Sequence, residues 1–408
     1  MNPNYKSFWD CAIDIGFKAG HALREQLHLD EDNFRFRAPY SHGNSRNVYI
    51  YRAIDEIQKA ATCLIRWKEF FSDEGKDNYK KDVEKQMIRI TEQAVLDEQA
   101  LRSRKLTELL VDTILFLNTN EEIYFKDYFY FCELVEWQRT QDDRKEFYDF
   151  NSRNSSEHIA WLHSCIKRLE SKGIDVNKRW YLSKPANIDS IPQVRLSTFR
   201  SRYKKVSLNQ GPEIITLLAK TYSHAYGESR HVHFSANDTS SEFSEDSGIL
   251  KGNKVGVLLT NLLLKLQELS GFVPPKGQDI LSKIRSDAKA DDIYKELTTS
   301  SAGVGDYVMA WGDLGQVIEE RKSKYGYFSY HVRYIDKPPL ENITDDWFAS
   351  FEIRRIGSKV ELLEKVKSII SRYCGTDIDD SKIASVDDTK FEQCLKQSIH
   401  EVLKLLRK

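Results

Sequence analysis

Little in this chain marks a metal centre, a nucleotide loop or a membrane anchor. Its six cysteines (Cys11, Cys63, Cys132, Cys165, Cys374 and Cys394) stand singly among 408 residues, and none forms Cys-x-x-Cys. A structural zinc centre or a dithiol redox pair needs that spacing, so neither is expected, and no metal or cofactor is assigned. The chain holds no Gly-x-x-x-x-Gly-Lys-Ser/Thr, no Gly-x-Ser-x-Gly and no His-Glu-x-x-His. P-loop ATPase, ordinary α/β-hydrolase and zincin chemistry are thereby excluded. No apolar run approaches the ~18 residues that span a bilayer, and the opening MNPNYKSFWD lacks the basic-then-apolar pattern of a signal peptide. The expectation is a cytoplasmic protein without a membrane partner, its thiols kept reduced.

Charge of one sign is lacking too. Lys and Arg number 61 against 62 Asp and Glu, a net charge of −1, so a polyanion could be met only by a local patch. Proline is scarce: five precede residue 273, three of them between 185 and 212. Long helices should therefore run largely unbroken through the first 180 residues. Val83, Met87, Ile90 and Ala94 recur at helical spacing, with Glu84, Lys85, Arg89 and Glu92 on the opposite face. The densely apolar stretch 250–270 predicts a helix buried in the middle of a bundle, and the acidic, serine-rich stretch 236–248 predicts a surface loop.

The pattern changes after residue 304. Phe328, Tyr330, Val332 and Tyr334 alternate with Ser329, His331, Arg333 and Ile335, the period of a strand with one packed face. Gly312, Gly315 and Gly326 read as turn positions. This segment resembles the Tudor, chromo and related small-barrel families, which implies a groove or aromatic cage for a peptide or nucleic acid. Trp311, Tyr325, Tyr327, Trp347 and Phe348 are the candidate ligand-binding residues, although a small barrel also needs large side chains to fill its own core. Residues 305–356 hold nine acids and seven bases, which favours a protein partner over nucleic acid.

The expected fold class is α+β, mainly α. A helical domain at 1–272 leads through a linker with a bridging helix (273–303) to a small SH3/Tudor-like β-barrel (304–357) and a C-terminal helical hairpin (358–408). Ser358–Glu361 and Thr389–Glu392 each fit a capping box that would open a closing helix.

Two clusters in the helical part could carry chemistry. Arg153-Asn154-Ser-Ser-Glu157-His158 resembles the Arg-polar-x-x-x-His motif of HEPN-type helical ribonucleases. The resemblance implies metal-independent RNA cleavage by a paired, dimeric bundle. Arg153 would face the scissile phosphate, Asn154 would orient, and His158 would act as acid/base. The same residues also fit a helix N-cap. The second cluster joins Arg52 and Glu56 to a distant Ser229 and His233, and resembles a bacterial helical family related to HEPN proteins. Its alternative is a buried polar network that pins helix register. His224, His231 and His233 lie close in sequence, but only Glu228 stands near to complete a metal set. A basic segment of Arg195, Arg200, Arg202, Lys204 and Lys205 could track an RNA backbone. Two functions follow as expectations. One is a metal-independent endoribonuclease, a toxin or phage-defence effector whose barrel senses a trigger. The other is a non-catalytic scaffold whose barrel binds a peptide or nucleic acid.

Overall fold

The computed structural model describes residues 3–28, 45–72, 85–119, 182–183, 195–196, 199–206, 212–227, 245–274, 279–298, 302–310, 313–323, 328–335, 344–350, 352–374 and 387–406, together with Lys167. Two compact units are present: residues 1–209 with 224–295, and residues 210–223 with 296–408.

The first unit is helical. Its long elements are α1 (Pro3–Gln26), α2 (Ser45–Phe70) and α3 (Lys85–Thr119). A short antiparallel pair follows, β1 (Leu182–Ser183) with β2 (Arg195–Leu196). Next come α4 (Phe199–Val206), α5 (Pro212–Gly227), whose first part belongs to the second unit, and α6 (Glu245–Ser270). Helix α6 already begins at Glu245, within the loop expected at 236–248, whose earlier part lies outside the described residues. The bridging helix is two helices, α7 (Ile280–Arg285) and α8 (Ala288–Thr298). Asp279 accepts from Ser282 N–H at the head of α7. Asp287 accepts from the N–H groups of Lys289 and Ala290 at the head of α8, so each short helix carries its own cap.

Helix α6 is the centre of this unit and packs against α1, α2 and α3. Val255, Val257, Leu258, Leu259, Leu262, Leu263 and Leu266 are all fully buried, as their density predicted. What the apolar pattern did not predict is a stripe of glycines one turn apart. A Cβ on Gly248 would meet Phe71 at 2.5 Å and one on Gly256 would meet Phe8 at 2.9 Å, while one on Gly252 would overlap the Trp9 indole. The aromatics of α1 and α2 thus lie directly on the α6 backbone. Trp9 is fixed there by its Nε1, which donates to Asn253 Oδ1 at 2.7 Å, and by an edge-on contact with Phe71. Gly271, at φ +72°, ends the helix, and the Phe272 N–H reaches back to the Gln267 carbonyl.

The second unit holds an antiparallel sheet of β3 (Tyr307–Ala310), β4 (Asp313–Lys322), β5 (Phe328–Tyr334), β6 (Asp345–Ala349) and β7 (Ile353–Gly357). Its order is β6-β5-β4-β3-β7. The expected SH3/Tudor-like barrel is not formed: the sheet is open, with β6 and β7 as unpaired edges. The closing helices α9 (Lys359–Cys374) and α10 (Asp388–Leu406) supply the burial that closure would have given. Tyr307, Leu314 and Ile335 pack against Leu362, Leu363, Ile369, Phe391 and Leu395 in one core. On the opposite face Val308, Val317, Tyr330, Val332, Phe348 and Ile353 form another. A sheet covered by helices has no need to close on itself. Its β6 edge is also blunted. The Trp347 N–H donates to the Asp346 carboxylate and the Ala349 N–H to the Glu352 carboxylate, each at 2.7 Å, which withdraws donors a foreign strand would need. Gly315 is not a turn residue but lies in β4, where a Cβ would overlap Val332 and sit 2.9 Å from the Arg333 carbonyl.

The expected capping box at the start of α9 is present: Ser358 N–H donates to Glu361 Oε2 at 2.6 Å and Glu361 N–H to Ser358 Oγ at 3.3 Å. At α10 the cap is Asp387, which accepts from Lys390 N–H, while Glu392 turns to Arg333. The Ser358 N–H and the Arg355 guanidinium hold the Glu361 carboxyl below its usual range. A depressed carboxylate contributes stability above its unfolded pKa, and that contribution is lost as pH falls through the folded value. Glu361→Ala should therefore cost about 0.5–1 kcal/mol at neutral pH. The gap to wild type should shrink below pH ~4, measured by urea denaturation at both pH values.

Candidate functional site

Of the residues expected to cleave RNA, Arg153, Asn154, His158, Ser229 and His233 lie outside the described residues. Arg52 and Glu56 are described, both on α2. Arg52 is exposed. Glu56 is a meeting point of cations: Lys59 Nζ lies 2.8 Å from Oε1, while Lys105 Nζ and Arg102 Nη1 lie 2.9 and 3.4 Å from Oε2. Burial pushes the Glu56 carboxyl up, but the hydrogen bonds and charges of Lys59 and Lys105 outweigh it and leave it lowered. A carboxylate held ionised by three cations is a poor proton acceptor. It suits an electrostatic role better than acid/base work.

The basic segment divides. Arg202 is buried, its Nη1 2.7 Å from both carboxylate oxygens of Asp112 on α3, with Phe199 beside it. Its charge serves the fold rather than a solvent-borne phosphate. Lys204 is half-buried on α4. The side chains of Arg195, Arg200 and Lys205 lie outside the described residues, as do those of His224, His231 and His233. Among the described residues no group of three His, Cys, Asp or Glu side chains could hold a metal, and no helix is long and apolar enough to cross a membrane.

Of the five aromatics expected to bind a ligand, Trp311, Tyr325 and Tyr327 lie outside the described residues. Phe348 is core, 1% exposed and edge-on to Tyr334. Trp347, the next residue along β6, points to the other face and is only partly buried. Helices α9 and α10 cover the β3 side of that face. Toward β6 it carries a polar stack instead. The Trp347 indole lies parallel to the His331 ring, centroids 4.9 Å apart, with the Arg321 guanidinium 4.1 Å from its centre. His331 Nε2 is 2.7 Å from Asp345 Oδ1, and Thr344 Oγ1 adds a bond to the same carboxylate. These bonds, that from His331 foremost, lower the Asp345 carboxyl. Glu319 accepts from Arg321 Nε at 2.9 Å.

The stack follows from register. His331 pairs with Trp347 on one side and Glu319 on the other, which aligns their side chains across three strands. A shift between Val317 and Glu319 lets the exposed end of β4 reach over β5. Strand alternation places His331 outward from sequence alone. Arg321 and Asp345 were missed, because nothing in sequence pairs β4 with β6 through β5.

Comparison with protein families, curated proteins and solved structures finds no match to this chain. The resemblance to HEPN proteins therefore has no support. The ribonuclease and phage-defence expectations built on that likeness have no homologue behind them, and the Tudor-like reading has already yielded to the open sheet.

Proposed function

We propose that this chain is a non-catalytic interaction protein. The helical unit acts as a scaffold, and the uncovered part of the C-terminal sheet recognises a peptide segment of a protein partner. The observation that carries this reading is Trp347, held face to face with His331 and under Arg321 on a part of the sheet that, among the described residues, lies outside the core made with the closing helices. An aromatic fixed on both χ angles offers contact area at low entropic cost, and Trp and Arg are the residue types that dominate recognition hot spots. The cations around it are already paired, Arg321 with Glu319 and Arg333 with Glu392, and the His331 ring is hydrogen-bonded to Asp345. An aromatic-centred surface whose cations are already paired suits a polypeptide better than a polyanion.

The test is a peptide-display selection on the full chain, with recovered peptides re-measured against Trp347→Ala. Wild type should enrich peptides whose affinity falls at least about tenfold in the variant, the loss of about 1.4 kcal/mol or more expected at a hot spot. Peptides that bind both proteins equally would place recognition elsewhere and defeat the proposal.

A further inference from the structure

We propose that the seam between α2 and α3 binds the phosphodiester backbone of a single-stranded nucleic acid. This does not rest on the reading of the sheet, which belongs to the other unit. Arg52, Lys59 and Arg66 recur at intervals of seven on α2 and are all exposed. Seven residues are close to two helical turns, so the three share one face in a row about 21 Å long. Helix α3 adds Arg102 and Lys105, which reach across to Glu56 between them. Around Glu56 there are thus three cations (Lys59, Arg102 and Lys105) for one carboxylate. The local excess is two positive charges in a chain whose net charge is −1. Farther along, Arg66 extends the row and is held by Glu98 at 2.5 Å. Asp55, on the same helix, is taken up by Arg24 instead.

Glu56 anchors these cations without consuming them. Its side chain is 13% exposed, whereas those of Lys59 and Lys105 are 53% and 50% exposed. Each ammonium has three donors and gives one to the carboxylate, so the others can meet an incoming oxyanion while the tether stays in place. Arg102 Nε is buried and has no acceptor among the described residues. A row of charge fits a chain of phosphates better than a single anion. One straight row also fits a flexible single strand better than a duplex, whose phosphates lie on two strands across a groove about 12 Å wide. The basic footprint expected at 195–205, where Arg202 is buried, is found instead on these two helices.

The test is fluorescence anisotropy of the full chain with a labelled oligouridylate of about 20 nucleotides, repeated over a series of salt concentrations. Affinity should fall with salt, with a log–log slope near −3 for four phosphate contacts. Lys59→Glu with Lys105→Glu should weaken binding at least about tenfold and flatten that slope by about 1.4. Lys390→Glu, an exposed cation on α10, should change neither. Circular dichroism of the double variant should match wild type, since both lysines are half exposed. Salt-independent binding, a double variant that binds like wild type, or tighter binding of a duplex of equal length would each overturn the proposal.

Discussion

Gly252→Ala should destabilise the helical unit by about 2 kcal/mol or more, although alanine is the better helix former. The propensity gain is about 1 kcal/mol. Against it stands a Cβ that would lie within 3 Å of three atoms of the Trp9 indole. Overpacking costs about 1–3 kcal/mol when neighbours can give, and more when they cannot. Trp9 cannot give easily: it is fully buried, its Nε1 is bonded to Asn253, and Phe71 stands edge-on beside it. Urea denaturation followed by far-UV circular dichroism would measure the loss. Trp9→Leu, destabilising by itself, should recover part of it when combined with Gly252→Ala, because the two side chains compete for one space. Gly252→Ala at least as stable as wild type would show that α1 does not rest on the α6 backbone.

Asp112→Ala should cost about 3–5 kcal/mol, the usual penalty for stripping one partner from a buried ion pair. Arg202 would keep its charge in a site where both side chains are about nine-tenths buried. The damage should spread through α3, since Tyr49 donates to Thr113 Oγ1 or accepts from it at 2.9 Å one residue away. Burial first, and then the Asp112 charge, raises the Tyr49 phenol well above its ordinary value. Replacing the pair together, Asp112→Leu with Arg202→Met, should restore most of the stability. The same denaturation experiment separates the cases. If Arg202→Met alone were neutral, its guanidinium would be serving something other than the fold.

Much of the architecture was legible because it depends on periodicity. The burial of α6 followed from its apolar density, the strand at 328–334 from alternation, and the cap of α9 from Ser358 and Glu361 three residues apart. Each is a local pattern, written within one or two turns or one strand. The glycine stripe of α6 was not read, since nothing in sequence says that Phe8, Trp9 and Phe71 from other helices will lie on Gly256, Gly252 and Gly248. Barrel closure failed for a similar reason. The strand content was visible, but whether β6 meets β7 depends on where α9 and α10 dock.

The candidate sites divide along the same line. That His331 faces away from the core could be inferred from its place in an alternating strand, whereas the sequence groups Trp347 with Phe348 and only the structure separates them, Phe348 into the core. That Trp347 and His331 stack under Arg321 could not be inferred, because the register shift in β4 sets it. The seven-residue spacing of Arg52, Lys59 and Arg66 was present in the sequence. That Lys59 meets Arg102 and Lys105 at Glu56 needed the packing of α2 on α3. The sequence by itself determined which segments are helix or strand and which face each one buries, because those choices follow from side chains a few residues apart. Only the tertiary structure decided which charges are spent inside the fold, as at Arg202, and which stand in a row at its surface. A charge's free energy depends on its distance from partners remote in sequence and on its exposure to water, and the chain order encodes neither directly.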